Sequence, residues 1–355
     1  MSSLRSGMLR LLSRLAIDPS LRQAALAKNF GVTRSAINQI WNRLETQHQM
    51  KIKGTPDYGK IGFQLLFGWA ISGAEGHKLS KFSEWLRRNP FCTIINESLI
   101  TPSMDTRILF EAILPSGKDS GNFLRTLAAF RKRPYSLTMH HDFALQIGNH
   151  LNLGLLDEDS WSFDSGFRFE VSIGAVRDYA EILPVGRSMK QSPPLSISIL
   201  DAIIASALET DFFATSTDLH IMLKRFGLDS PSERTLRRKI ASIRESVVQP
   251  YLWLEQIGLE NRLIVTLLEP NTSSIYKLLL AQASTFPKAR VLSGRESLVL
   301  VIDIPSSTDW IQVSNAISKV VGYDSEICTF IAEEIPDRKW FENIMHHILM
   351  RKSMA

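Results

Sequence analysis

The sequence repeats one order of helices and strands, and this internal repeat limits the fold more than any other feature does. Each half opens with segments whose apolar residues have helical spacing, and continues with two further helices set among strand-like apolar stretches. Two landmarks fix the offset: Gly227 follows Gly31 by 196 positions, and Ser297 follows Asp105 by 192. We therefore expect two copies of one unit, joined end to end.

The first copy begins with three predicted helices. Apolar spacing predicts one helix from Leu4 to Ile17, ended by Asp18-Pro19, and a second from about Ser20 to Phe30. Gly31 permits the chain reversal that follows, because glycine tolerates positive φ, and Thr33 can cap a third helix. Three short helices joined in this way are typical of a helix-turn-helix.

Beyond Met50 the pattern changes to strands that alternate with helices. The predicted strands are Phe63 to Ser72, Phe91 to Glu97, Thr106 to Leu114 and Tyr135 to Ile147, and the predicted helices are His77 to Arg88 and Ser120 to Arg133. The order is βαββαβ, which is the ferredoxin-like arrangement.

The second half reproduces both parts. Its predicted opening helices are Leu195 to Leu208, Ser216 to Phe226 and Ser232 to Val247, and Pro250 is expected to end the third. The predicted strands are Arg262 to Glu269, Arg290 to Ser293, Leu298 to Ile304 and Ser325 to Glu334. The other predicted helices are Thr272 to Thr285 and Ser307 to Val321. The prediction is an α+β fold in which two winged helix-turn-helix domains alternate with two ferredoxin-like domains.

The expected domain boundaries follow from this order. They are an N-terminal helix-turn-helix over 1–53, a ferredoxin-like domain over 54–150, a connector over 151–194 that ends in Ser192-Pro193-Pro194, a second helix-turn-helix over 195–250, a second ferredoxin-like domain over 251–336 and a C-terminal helix over 337–355. We expect the two ferredoxin-like domains to pair as an intramolecular pseudo-dimer, and further homo-oligomerisation stays open.

Composition excludes several classes of protein. Arginines interrupt the N-terminus and no run of 18 apolar residues occurs, so neither a signal peptide nor a membrane span is expected. Cys92 and Cys328 lie far apart, without the spacing of a disulfide framework or a zinc site, which favours a cytoplasmic protein. The formal net charge of +5 suits an anionic partner only where it is concentrated locally.

The segment Gln23 to Asn42 resembles the helix-turn-helix of the Lrp/AsnC (feast/famine) transcription regulators. Leu26-Ala27, Gly31-Val32, Ile37 and Ile40 stand at the small, glycine and apolar positions of that motif. The segment from Ile52-Lys53-Gly54 to Lys60-Ile61-Gly62 is similar to the hinge strand of that family. The resemblance implies a sequence-specific DNA-binding regulator, with a small-molecule effector as a further candidate partner.

Each copy also keeps half of a family signature. In that family a glycine, two residues and an aspartate precede the third strand. Pro102-Ser103-Met104-Asp105 keeps the aspartate, and Gly294-Arg295-Glu296-Ser297 keeps the glycine. The second helix-turn-helix departs from the family by about three extra residues between Gly227 and Leu236.

Double-stranded DNA is the expected partner, contacted by the third helix of each helix-turn-helix. In the first copy the polar outward residues are amide-, hydroxyl- or guanidinium-bearing, and two lysines follow in the hinge: Thr33, Arg34, Ser35, Asn38, Gln39, Asn42, Arg43, Lys51 and Lys53. The second copy is richer in cations that suit phosphates: Arg234, Thr235, Arg237, Arg238, Lys239 and Arg244. The alternative for both is a solvated helix face in a scaffold whose heads have lost DNA.

Signals for an enzyme are weaker. His140-His141 lie in a predicted strand, where neighbouring side chains point to opposite faces, and His346-His347 lie in the last predicted helix. We therefore expect no catalytic residues, no metal, no cofactor and no enzyme activity. One enzyme alternative stays open, because tetrapyrrole (siroheme) decarboxylases resemble the same fold paired with itself; the His140-His141 region and scattered arginines favour it.

Overall fold

The structure is a computed structural model and describes residues 6–72, 76–101, 105–157, 160–161, 198–268, 272–283, 285–321, 326–334 and 339–353. Most of the predicted connector, with Ser192-Pro193-Pro194, lies outside these residues, and so do three residues of the first-copy signature, 102–104. Within these ranges, no helix combines the length and the apolar character needed to cross a membrane.

The elements of the first half follow one another in the predicted order. They are α1 (Ser6–Ile17), α2 (Gln23–Phe30), α3 (Arg34–His48), β1 (Lys51–Pro56), a 3-10 turn (Tyr58–Ile61), β2 (Phe63–Ser72), α4 (Gly76–Arg88), β3 (Cys92–Ile100), β4 (Thr106–Pro115), α5 (Lys118–Phe130), β5 (Thr138–Phe143), β6 (Gln146–Leu151), a second 3-10 turn (Leu153–Leu155), β7 (Leu156–Asp157) and β8 (Ser160–Trp161).

The second half has the same order. It contains α6 (Ile199–Thr210), α7 (Ser216–Arg225), α8 (Glu233–Ser246), β9 (Val248–Trp253), β10 (Asn261–Leu268), α9 (Thr272–Ala283), β11 (Lys288–Ser293), β12 (Ser297–Ile304), α10 (Trp310–Val321), β13 (Glu326–Glu334) and α11 (Phe341–Ser353). The expected α+β class is confirmed: helices surround one large antiparallel sheet.

Local sequence explains the first three helices, which we call the first head. Gly31 ends α2 in the left-handed conformation at φ 64°, and its N–H bonds to the carbonyls of Ala27 and Lys28. Thr33 caps α3, its side-chain oxygen accepting the Ala36 N–H at 3.2 Å. Apolar residues from all three helices are buried: Leu11, Leu12, Leu15, Leu26, Ile37 and Leu44. The corresponding helices α6, α7 and α8 form the second head.

The large sheet joins both halves and closes on itself. Its strand order is β5-β2-β4-β3-β13-β10-β12-β11-β6, and its two ends, β5 and β6, are consecutive parts of one segment. Between them the Ala144 N–H bonds to Leu65 in the first half, and the Leu145 N–H bonds to Ser293 in the second. The ring therefore has no free edge at this point.

The last strand of each half crosses to the other half. In the first half, β5 pairs with β2 and its continuation β6 pairs with β11. In the second, β13 pairs with β10 and then, through its last residues, with β3. The two halves are thus related by a pseudo-twofold arrangement in which each completes the sheet of the other.

A two-stranded ribbon links the heads to the closed sheet. β1 follows α3 and β9 follows α8, and the two strands pair antiparallel from Lys51 with Trp253 to Pro56 with Val248. Gly54 lies where α6 packs on the ribbon: a Cβ there would be 2.5 Å from the Leu208 carbonyl oxygen. Glycine is required at this position because nothing larger fits.

Two predicted elements differ from the structure. The predicted strand Tyr135 to Ile147 is two strands, β5 and β6, because the segment changes partner at Ala144 and Leu145. Pro250 was expected to stop a helix, but it lies inside β9 opposite Gly54. A proline fits in this ribbon because its missing N–H costs little on a short two-stranded edge.

Candidate functional site

An inner cavity of about 390 Å³ lies at one end of the closed sheet, beneath the β1–β9 ribbon. Strands of both halves contribute charged side chains to its wall, including Glu111 from β4 and Arg262 from β10. A second, outer cavity of about 850 Å³ adjoins it. The two share the residues Trp253, Leu254, Arg262, Lys288, Asp303, Glu334 and Trp340, which form the wall between them.

Four of these shared residues form a charged cluster. The Arg262 guanidinium donates to both oxygens of Asp303, from Nε at 2.7 Å and from Nη2 at 3.3 Å. Its Nη1 donates to Glu334 and, at 3.2 Å, to the amide oxygen of Asn96. Lys288 Nζ lies 3.0 Å from Asp303 Oδ2. This bidentate geometry fixes the plane of the guanidinium in the cavity wall.

Burial and charge set the ionisation of the cluster. Burial raises the pKa of Asp303, but Lys288 and Arg262 lower it more, to about 2. Burial alone lowers the pKa of Arg262, and the carboxylates of Asp303 and Glu334 outweigh this effect and raise it above its usual range. Asp303 and Arg262 are therefore both ionised at neutral pH.

A second ion pair joins the two halves across the inner cavity. Arg290 Nη1 of β11 donates to Glu111 Oε1 of β4 at 2.8 Å. The Glu111 side chain is only 3% exposed, so its charge depends on this partner. In the sequence, the only signal for these buried carboxylates is a single acidic residue within an apolar strand, and both Glu111 and Asp303 show it.

Two tryptophans from different parts of the chain stand in the wall between the cavities. Trp253 of β9 and Trp340, just before α11, have ring centroids 5.9 Å apart at 73°. The Lys53 ammonium lies over a face of each indole ring, with Nζ 3.7 Å from the Trp253 centroid and 3.8 Å from the Trp340 centroid. The expectation that Lys53 contacts DNA is corrected, because this side chain is buried inside the protein.

His150, on β6, brings an imidazole to the inner cavity. Its Nε2 is buried and has no hydrogen-bond partner among the described residues. Burial lowers the pKa of His150, so the imidazole is neutral at physiological pH. A neutral imidazole with an unbonded nitrogen can ligate a metal or exchange a proton.

Tyr58 and Glu209 supply a third polar feature of the inner cavity. The Tyr58 hydroxyl donates to Glu209 Oε1 at 2.7 Å, and the Phe341 N–H donates to Glu209 Oε2 at 2.7 Å. Burial, followed by the charge of Glu209, raises the pKa of Tyr58 well above 10. The phenol stays protonated and ties the second head, through α6, to the cavity wall.

The residues expected to bind DNA lie outside both cavities. On the first head most of them are exposed: Thr33, Arg34, Ser35, Gln39, Asn42, Arg43 and Lys51. Asn38 is half-buried and its Oδ1 has no partner in the described part of the chain. α3 therefore presents an open polar face.

On the second head the cations divide into two groups. Arg234, Arg237 and Arg238 are exposed, with Arg237 2.5 Å from Glu233, and Thr235 is half-buried. Lys239 instead bonds Asp201 of α6 at 2.5 Å, and Arg244 donates to the Phe212 and Ala214 carbonyls at 3.0 and 2.9 Å. These two contacts hold α8 against its own head.

The histidines of the first predicted pair contact other side chains. His140 packs on Trp69 at 5.4 Å between ring centroids, and Arg131 Nη2 lies 2.8 Å from His141 Nδ1. Among the described residues, no three His, Cys, Asp or Glu side chains are grouped so that they could hold a metal ion.

Comparison with known proteins gives a likeness of fold. The sequence matches no protein-family profile and no curated protein. Over 94% of each chain the fold is similar to the crystal structure of the siroheme decarboxylase NirDL, with a TM-score of 0.52 and 11% sequence identity. The same protein in complex with an iron-uroporphyrin III analogue matches over 93% of each chain, with a TM-score of 0.51 and 12% identity.

This comparison bears on two expectations, the absence of enzyme activity and the role of a DNA-binding regulator. The expectation that the chain is not an enzyme is withdrawn, because the solved structure whose fold it shares along its length is that of an enzyme. An Lrp-like fold is compatible with the same likeness. At this sequence identity the likeness establishes the fold alone, and a DNA-binding regulator receives no support from it.

Proposed function

We propose that this protein is an enzyme that decarboxylates a carboxylate-bearing tetrapyrrole in the inner cavity. The proposal extends to this chain the reaction class of the siroheme decarboxylase whose fold it shares. The observation that carries it is His150: a neutral imidazole whose buried Nε2 has no described partner belongs to the lining of a cavity whose wall also holds Arg262, Lys288 and Arg290.

The cavity walls suit the parts of such a substrate. Guanidinium and ammonium groups bind carboxylates, and Arg262 offers donors on a fixed plane. Trp253 and Trp340 offer flat apolar surfaces against which a macrocycle can pack. Because 390 Å³ is at the small end for a ligand site, a tetrapyrrole would extend through the shared wall toward the outer cavity.

The chemistry needs one proton for each carboxylate lost. The bond between a carboxymethyl carbon and its carboxylate breaks, carbon dioxide leaves, and the electron pair is delocalised into the macrocycle before a proton converts the carbon to a methyl group. His150 Nε2 can deliver that proton, or it can ligate the substrate iron and fix the macrocycle. Soret spectra of the wild-type and His150→Ala complexes distinguish these two roles, since a difference between the two bound spectra is expected only where His150 ligates the iron.

Incubation with siroheme, followed by mass spectrometry of the extracted tetrapyrrole, tests the reaction. We expect loss of carbon dioxide with the wild-type protein and at least a hundredfold slower loss with His150→Ala, as for removal of a general acid. The matched control is His141→Ala, on the neighbouring strand and outside both cavities. No loss of carbon dioxide with folded wild-type protein contradicts the proposal.

DNA binding by the heads is a second candidate function. The observation that favours it is the open face of α3, where Arg34, Asn42 and Arg43 are exposed beside the turn at Gly31. Under this proposal the heads are winged helix-turn-helix domains on ferredoxin-like units, and DNA is their partner. Replacing Arg34 and Asn42 with Ala should then lower the preference for a selected DNA site by about 1 to 3 kcal/mol per contact.

A further inference from the structure

Glu334 occupies the one place in the charged cluster from which a carboxylate can be exchanged. It is the last residue of β13, and its side chain lines both cavities together with Arg262, Lys288 and Asp303. Its strand pairs there with β3, where Glu334 lies opposite Asn96.

The Arg262 guanidinium has two edges with different partners. Asp303 takes the edge formed by Nε and Nη2, and this contact lies within one half, since Arg262 and Asp303 are register partners on β10 and β12. The remaining donor, Nη1, points to Glu334 and Asn96. Asp303 therefore fixes the guanidinium, and Glu334 occupies the end that faces the cavities.

The charges of the cluster balance only with Glu334. Arg262 and Lys288 carry two positive charges against the single negative charge of Asp303. Glu334 neutralises the excess. A carboxylate from a ligand in the same position would neutralise it equally well, so exchange of one carboxylate for the other leaves no buried charge uncompensated.

Exposure separates Glu334 from the other acids of the wall. Its side chain is 22% exposed, against 12% for Asp303 and 3% for Glu111. Glu111 does not line the outer cavity, whereas Asp303 and Glu334 both do. Glu334 is therefore the most exposed acid of the three and adjoins the outer cavity.

We propose that Glu334 is an internal competitor of the ligand. In the ligand-free chain its carboxylate holds Nη1 of Arg262, and a carboxylate of the bound ligand replaces it while Glu334 turns into the outer cavity. The identity of that ligand as a carboxylate-bearing tetrapyrrole rests on the proposed function. The exchange makes binding selective for ligands that bring a carboxylate to Arg262.

The test compares Glu334→Gln with Glu245→Gln. Both changes remove one negative charge, but Glu245 is exposed on α8, lines neither cavity and serves as the matched control. Two probes are titrated: iron uroporphyrin III, followed by its Soret band, and benzenehexacarboxylate, followed by calorimetry. If Glu334 occupies Arg262 in about nine-tenths of molecules, its removal should tighten binding of both probes about tenfold.

The outcomes separate this inference from the proposed function. Tighter binding in Glu334→Gln, with Glu245→Gln within about twofold of wild type, supports the competitor. Unchanged or weaker binding in folded Glu334→Gln overturns it, and the proposed function stands if iron uroporphyrin III still binds. If benzenehexacarboxylate alone binds, and more tightly in Glu334→Gln, the competitor stands and the tetrapyrrole proposal fails. Absence of binding by both probes overturns both.

Discussion

Glu111 and Asp303 occupy matching positions in the two halves, but only Asp303 has basic register partners. Asp303 lies between Arg262 on β10 and Lys288 on β11. The corresponding neighbours of Glu111 are apolar, Phe67 on β2 and Ile94 on β3. Glu111 is therefore paired with Arg290 from the other half. The two copies of the repeat thus differ in the cations that contact their matching carboxylates.

The first prediction concerns stability in acid. The pKa of Asp303 is about 2 in the folded chain, below the ordinary value of 3.8, so its contribution to stability is present above that ordinary value. The contribution should be lost as the pH falls from about 4 to about 2, and its size is about 2 kcal/mol. Urea unfolding of wild type and Asp303→Asn across this range measures it.

The result is the difference in unfolding free energy between wild type and Asp303→Asn at each pH. Asp303→Asn should be less stable than wild type at pH 7, and the gap should narrow as the pH approaches 2. Asp229→Asn, an exposed carboxylate in the second head, is the control and should follow the wild-type curve. A gap that stays constant with pH would show that the carboxylate of Asp303 is not stabilised by its cations.

A second prediction tests the packing of α6 on the ribbon. The Cβ of Gly54→Ala would lie 2.3 Å from Val248 Cγ1 and 2.5 Å from the Leu208 oxygen, so the ribbon or the helix must shift. We expect a loss of about 1 to 3 kcal/mol in unfolding free energy. Gly121→Ala in α5 is the control: no atom lies within 4 Å, and it should stabilise by up to about 1 kcal/mol. Equal effects would exclude the close contact.

A third prediction separates two neighbouring cations of α8. Lys239→Ala removes the contact with Asp201 and should destabilise the protein by about 1 kcal/mol, whereas Arg238→Ala, at an exposed position, should change stability by less than about 0.5 kcal/mol. Thermal unfolding of the two variants compares them. A larger effect from Arg238→Ala would mean that Lys239 does not anchor the helix.

Much of the fold was predictable because local patterns decide it. The strand Phe63 to Ser72 has the predicted bounds, since an apolar run bounded by turn residues has few alternatives. The junction at Ala144 and Leu145 was not predictable, because nothing local shows that the segment changes partner there. The strand around Pro250 was not predictable for a similar reason, because β9 forms only by pairing with β1 from the other half.

The site was largely hidden because its parts are distant in sequence. His150 and Arg262 come from different halves, and neither belongs to a local motif. Lys53 was placed on the surface since lysines are rarely buried. The two indoles that bury it follow about two hundred residues or more later, and a pattern search around Lys53 does not find them.

The most direct test of the cavity as a tetrapyrrole site is a titration with iron uroporphyrin III, followed at the Soret band, in wild type, His150→Ala and the control His141→Ala. We expect saturable binding of one ligand per chain in wild type and His141→Ala. Affinity at least tenfold weaker in His150→Ala, a loss of about 1.4 kcal/mol, assigns iron ligation to His150, whereas equal affinity assigns it the role of proton donor. No saturable binding by the folded wild-type protein would contradict the assignment of the cavity.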